Sequence, residues 1–173
     1  MPTTVALDTS FLVRALIETE PLHSSCRSLL ERLIESGVNV VTSELLPIEL
    51  AEASFGIALK ERWGRQWRRH RSDGRSRRKA RRLLADVSSR YESLLSSVTH
   101  ISIPLALVAD AASGIMVDYG LASYDAVHAA GAIAAGAEAI VTTDTGFALL
   151  PAGLLLIYTD RSRLPACRAK RAR

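Results

Sequence analysis

The chain has 173 residues, 48% of them apolar, and a formal net charge of +4. This composition excludes general disorder, and no apolar run approaches the roughly 18 residues of a membrane span. The charge is unevenly placed: residues 60–82 carry 12 Lys and Arg against 2 acidic residues, so a strongly basic element rides on an acidic body.

Taken in order, Val5-Ala6-Leu7 is a short apolar run ending at Asp8-Thr9-Ser10. It predicts a buried strand, then a helix capped by Thr9 or Ser10. Apolar residues recur at helical spacing over 22–36, and Gly37 is a natural stop. Residues 38–42 (VNVVT) predict a second strand, and Ser43 a cap for a helix with Pro47 near its first turn. The basic stretch predicts two helices hinged near Ser72-Asp73-Gly74, the second continuing through Leu83, Val87, Tyr91 and Leu94. A third strand is predicted over 98–103, then a helix from Leu105 to Tyr119 stopped at Gly120. Ser123 is expected to cap a small-residue helix through Ala135, and further strands are expected over 139–142 and 154–158.

Strands alternating with helices indicate an α/β fold: a three-layer α/β/α sandwich around a parallel sheet, with an arginine-rich helical segment at about 60–82. No interior linker divides the chain. The expected organisation is one domain over 1–160, including a basic helical arm at 60–95, and a basic tail over 161–173. The first residues lack a basic stretch followed by an apolar one, so a cytoplasmic protein is expected, with no membrane association. Cys26 and Cys167 match no metal spacing and are expected as reduced thiols.

Four carboxylates stand where strands end or helices begin: Asp8, Glu49, Asp125 and Asp144. An ionised carboxylate near a core is costly unless it is paired or binds a metal. Ligand sites in open α/β sheets lie beyond the carboxyl ends of the strands. Asp8 and Asp144 each follow a predicted strand, and Asp125 and Glu49 fall early in helices whose starts face the same edge. Taken singly, each has a plainer reading. Asp125 can serve the helix dipole, Asp8 can cap, Asp144 can open a turn with Thr145-Gly146, and Glu49 competes with Glu44 and Glu52. Together they predict an oxygen-rich site for Mg²⁺, or Mn²⁺.

The segments ALDTSFLVRAL at 6–16, SELLPIELAEA at 43–53, LASYDAVHAAGA at 121–132 and IVTTDTGF at 140–147 resemble the four acidic blocks of PIN-domain ribonucleases. The closest resemblance is to the VapC toxins of bacterial toxin–antitoxin pairs. It implies metal-site and catalytic roles for Asp8, Glu49, Asp125 and Asp144. It also implies a supporting hydroxyl at Thr9 or Ser10, with Thr143 as the small polar residue before the last Asp. It implies an RNA substrate, a homodimer and a cognate antitoxin. The arginine-rich segment between the second and third blocks departs from that pattern.

The expected reaction is metal-dependent endonucleolytic hydrolysis of RNA, in which one or two ions activate water and polarise the phosphoryl oxygen. Two alternatives remain: a PIN nuclease of RNA processing without an antitoxin, and a catalytically silent RNA-binding module. No phosphate-binding loop of the G-x-x-x-x-G-K-[ST] type and no G-x-S-x-G turn is present. His128 lies three residues after Asp125 and reads as a packed, hydrogen-bonded histidine, with contact to the site as the alternative. In the basic arm, Arg62, Arg65, Arg68, Arg69, Arg75, Arg77, Arg78 and Lys79 are candidates for binding RNA or an acidic partner. Trp63 and Trp67 are expected on one helical face, packed or stacked on an unpaired base.

Overall fold

The structure is a computed structural model that describes residues 2–151 and 153–158. Cys167 and the basic tail over 161–173 lie outside the described residues. Five strands, β1 (Thr4–Leu7), β2 (Asn39–Ser43), β3 (Thr99–Ile103), β4 (Ala139–Val141) and β5 (Leu156–Tyr158), form one sheet in the order β3-β2-β1-β4-β5. Every pairing is parallel. Among the described residues six α-helices join them: α1 (Thr9–Leu16), α2 (His23–Glu35), α3 (Leu46–Trp63), α4 (Gly74–Ser96), α5 (Leu105–Tyr119) and α6 (Ser123–Ala134). The expected strands are all present with ends displaced by a residue or two, but of the two helices expected to meet near residues 72–74 in the basic stretch, the first ends early, at Trp63.

Side chains alternate along each strand, and the central strands β1, β2 and β4 are buried on both faces. Val5, Leu7, Val40 and Val141 point into a cluster with Phe11 and Leu12 of α1, Leu29 and Leu30 of α2, Leu50 of α3, and Val87 and Tyr91 of α4. Ala6, Val41 and Ile140 point the other way, into a cluster with Val108 and Ile115 of α5 and a run of alanines in α6. Burying each such aliphatic side chain contributes about 1.5–3 kcal/mol. The small residues of α6 let that helix lie close to the sheet: a Cβ on Gly131 would sit 3.8 Å from Ile103.

The basic segment forms a hairpin. α3 stops at Gly64, which takes a left-handed φ of 52°. A 3₁₀ turn (Gly64–His70) follows, and Asp73 caps α4 by accepting from the Ser76 backbone N–H at 2.7 Å. The hinge expected near Ser72-Asp73-Gly74 is therefore the α3–α4 connection. Three expected caps are corrected. Asp8, not Thr9 or Ser10, caps α1; Ser43 ends β2; and Ser123 is the first residue of α6 rather than its cap. No single helix among the described residues is long and apolar enough to cross a membrane.

β1 lies at the centre of the sheet with β4 beside it. The Asp8 N–H donates to Val141 C=O at 3.0 Å, so the segments leaving β1 and β4 depart side by side at the carboxyl edge.

Candidate active site

Asp8 is only 4% exposed, and one of its carboxylate oxygens, Oδ2, takes three donors. These are the Ser10 N–H at 3.1 Å, the Ser10 hydroxyl, and the Thr142 hydroxyl at 2.7 Å. Ser10 Oγ in turn accepts from the Thr143 N–H and the Thr143 hydroxyl, both at 2.9 Å. The Asp144 N–H donates to Thr142 Oγ1 at 2.9 Å. A hydroxyl network therefore ties the segment after β4 to the start of α1 and fixes Asp8 relative to Asp144. All these donors are neutral, so they orient the carboxylate without cancelling its charge. Thr142 was not among the expected supporting residues. It directly follows β4 and its hydroxyl donates to Asp8, whereas Thr143 reaches Asp8 only through Ser10.

Glu49 lies in the first turn of α3. Its Oε2 accepts from the Thr9 hydroxyl at 2.5 Å and from His128 Nε2. His128 is 4% exposed, and its Nδ1 is 3.2 Å from Ser43 Oγ. Burial works against charge on both partners. Burial alone would lower the His128 pKa, but the bond to Glu49 and the negative charges of Glu49, Asp8 and Asp125 raise it above the ordinary value. Burial alone would raise the Glu49 pKa, but His128 and the Thr9 hydroxyl bring it below the ordinary value. The contact thus favours the charged form of each partner against the cost of burial. Both plainer readings of His128 hold together: it is packed, and it touches the site. The competing carboxylates are occupied elsewhere. Glu44 accepts from the Leu105 N–H at the start of α5 at 3.1 Å, and Glu52 takes Arg71 through two bonds of 2.6 and 2.8 Å.

Asp125 lies in the first turn of α6, and Asp144 caps the 3₁₀ turn Thr145–Leu149 by accepting from the Gly146 N–H at 2.8 Å. That turn is anchored by Phe147, which is fully buried. Asp144 Oδ1 and Asp125 Oδ2 lie 3.2 and 3.4 Å from the point a Gly146 Cβ would occupy, so the two carboxylates converge on one small space. The Asp125 carboxyl is pushed up to about 6, first by burial, then by the negative charges of Asp144, Asp8 and Glu49, with His128 partly opposing. The four expected carboxylates therefore share one electrostatic site.

Among the described residues, no three His, Cys, Asp or Glu side chains form a ready-made metal shell. Mg²⁺ does not require one, since it keeps several waters and is held by one or two carboxylates together with substrate phosphates. Hard oxygen donors whose mutual repulsion is unrelieved at Asp125 fit such a hydrated divalent cation.

Two cavities flank α3. A groove of about 670 Å³ runs from Thr9, Ser10 and Glu49 past Ile57 to Lys60 and Trp67. A cleft of about 1150 Å³ lies between α3 and α4, lined by Arg62, Arg75, Arg78, Lys79 and Arg82. At 100° per residue, Glu49, Ala53, Gly56 and Lys60 share one side of α3, while Ala58 and Arg62 share the other. The arginine cleft therefore opens away from the carboxylates. Within the arm, Arg62 reaches Asp73 at 3.5 Å and Lys79 pairs with Glu61. Arg68 packs on Trp67, 4.9 Å from its ring centroid, and Arg65, Arg69 and Arg77 are exposed. Trp63 stacks on His70 with ring centroids 3.7 Å apart, whereas Trp67 reaches Gly56, so the two tryptophans do different work.

No curated protein matches the chain closely enough to be reported as a relative. A family model does match, across residues 5–152, an interval that contains all four acidic blocks and four of the five strands. The chain belongs to the PIN domain family, whose members are typically nucleases that use a divalent metal.

Proposed function

We propose that the protein is a metal-dependent endoribonuclease that acts as the toxin of a toxin–antitoxin pair. The observation that carries the nuclease reading is the convergence of Asp8, Glu49, Asp125 and Asp144 at the sheet edge, with the Asp125 carboxyl pushed up to about 6 by burial and then by its acidic neighbours. Concentrated negative charge repels a phosphodiester unless a cation stands between them, so a silent RNA-binding module gains nothing from this arrangement.

In this reading Asp8, Asp125 and Asp144 hold Mg²⁺ or Mn²⁺. When bound, the cation lowers the pKa of water, polarises a phosphoryl oxygen and stabilises the leaving oxygen. The chain's own residues supply the rest. Ser10 and Thr142 hold Asp8 in one orientation. His128 and Thr9 keep Glu49 ionised and pointed, ready to orient an attacking water. Phe147 fixes the turn that presents Asp144.

The toxin assignment rests on the four-block resemblance. The cationic cleft supports a partner with an acidic segment, although it suits RNA phosphates equally by charge. Leu107 and Val117 of α5 are 75% and 86% exposed, which supports a homodimer through that helix.

The test is cleavage of total cellular RNA by purified, antitoxin-free protein with Mg²⁺, with Mn²⁺ and with chelator, beside Asp8→Asn. Discrete metal-dependent fragments, absent with Asp8→Asn, are expected. Undiminished cleavage by a well-folded Asp8→Asn protein overturns the assignment.

A further inference from the structure

Ser43 is the last residue of β2, is 4% exposed and caps no helix. Side chains alternate along a strand, so Ser43 faces the same way as Val41, towards α6, while Thr42 between them turns to Tyr91 on the other face. There the Ser43 hydroxyl lies 3.2 Å from Nδ1 of His128, which is equally buried. The crevice beside this contact, lined by Ala6, Val41, Thr42 and Gly131, has no room for a water molecule. Among the described residues no other group bonds that nitrogen. A buried ring nitrogen needs a partner, and Ser43 is the one it has. The contact serves either form of the ring, since the hydroxyl accepts from Nδ1–H or donates to a bare Nδ1.

The other ring nitrogen meets Glu49. His128 Nε2 bonds Oε2, and the Thr9 hydroxyl donates to the same oxygen at 2.5 Å. One carboxylate oxygen is therefore taken by two donors, and Oε1 is left for chemistry. An imidazole that turns about its Cβ–Cγ bond carries Nε2 away from Glu49, and a bond at Nδ1 opposes that turn. The carboxylates also divide among themselves. Asp144 and Asp125 share the space beside Gly146. The repulsion at Asp125 comes first from Asp144, then from Asp8, and least from Glu49. A cation held by Asp8, Asp125 and Asp144 leaves Glu49 to orient water.

We propose that Ser43 is a positioning residue: through His128 it aims Glu49 at the attacking water, and it takes no part in holding the cation. The inference rests on the nuclease reading for the water, while the Ser43–His128 contact is tested without turnover.

Ser43→Ala, Ser43→Thr, His128→Ala and the double variant Ser43→Ala/His128→Ala are made in the full-length chain, with thermal unfolding as the check on folding. The imidazole ¹⁵N signals of His128, assigned by their loss in His128→Ala, are recorded in metal-free protein. Mg²⁺ affinity is measured by calorimetry, and kcat and KM on an oligoribonucleotide spanning a mapped cut. Ser43→Ala is expected to shift the Nδ1 signal, and Ser43→Thr, which keeps the hydroxyl, to restore both the signal and kcat. Removing the outer partner of a site residue should lower kcat by about tenfold, with KM and Mg²⁺ affinity held within about twofold. In the His128→Ala background Ser43→Ala should change kcat by less than about twofold, because two residues acting through one contact do not add. An unmoved Nδ1 signal overturns the proposal. So does a kcat loss that adds in full to that of His128→Ala, or a Mg²⁺ affinity that falls along with kcat. An unmodified protein that cleaves no RNA sinks the nuclease reading, and the ring signal then decides by itself whether Ser43 positions His128. Metal-dependent cleavage with an unmoved ring signal keeps the nuclease and sinks the role of Ser43.

Discussion

Asp125→Asn offers the sharpest physical test of the site. The carboxyl moves from an ordinary 3.8 to about 6 in the folded protein, through burial and then the charges of Asp144, Asp8 and Glu49. The folded state holds this proton more tightly than the unfolded chain, so metal-free stability falls as pH rises from about 4 through 6. At 1.36 kcal/mol per pH unit the full effect is about 3 kcal/mol. Asp125 is partly exposed, and solvent screening reduces this to about 1–2 kcal/mol. Asparagine removes the repulsion and keeps the shape. In chelator at pH 8 the variant is therefore expected to be more stable than the unmodified protein by about 1–2 kcal/mol, or about 2–8 °C in Tm for a chain of this size. The gap should narrow at pH 5, where the carboxyl is already protonated. Added Mg²⁺ should stabilise the unmodified protein and do little for the variant. Urea and thermal unfolding at the two pH values, with and without Mg²⁺, measure all of this. A variant no more stable than its parent in chelator at pH 8, or one stabilised by Mg²⁺ to the same degree, would refute the reasoning.

Three further outcomes follow from the same geometry. His128→Ala strands Glu49, whose side chain is 17% exposed, and should cost about 3 kcal/mol in urea unfolding; a loss below about 1 kcal/mol would mean the pair does not hold the site together. Gly146 has no positive φ, so alanine fits the backbone, but its Cβ would press on Asp144 and Asp125. Gly146→Ala should therefore keep a near-normal Tm and lose about tenfold in Mg²⁺ affinity by calorimetry, and unchanged affinity would show that the two carboxylates do not share an ion. Neutralising Arg75, Arg77, Arg78 and Lys79 together should reduce the salt slope of RNA binding by about 3; an unchanged slope would assign the cleft to a protein partner.

The strand and helix pattern was legible because apolar runs, helical spacing and stop residues are local properties. The stops at Gly37 and Gly120 need only one residue's φ. That Asp8 and Asp144 share one edge was legible for a related reason: each stands just past the end of a strand, and in a parallel sheet all strands end on one edge. Capping was less legible, since a hydroxyl near a helix start can serve the helix or something across the fold. Ser43 turned to His128, Thr9 to Glu49 and Ser10 to Asp8, leaving α3 and α6 without side-chain caps.

What the amino-acid order determined by itself was the α/β alternation, the four acidic positions and a +10 segment placed between the second and third of them. Only the tertiary structure decided among groups of equal local merit. It chose Glu49 over Glu44 and Glu52, because the first turn of α3 aims Glu49 at a histidine 79 residues away. It gave Asp8 to Thr142, 134 residues distant, through the pairing of β1 with β4. It also turned the arginine cleft to the far side of α3, because α4 packs against one side of that helix and leaves the other to the groove that reaches Glu49. Such choices depend on which side chains from remote segments meet, and that is settled by how the helices pack on the sheet rather than by spacing along the chain.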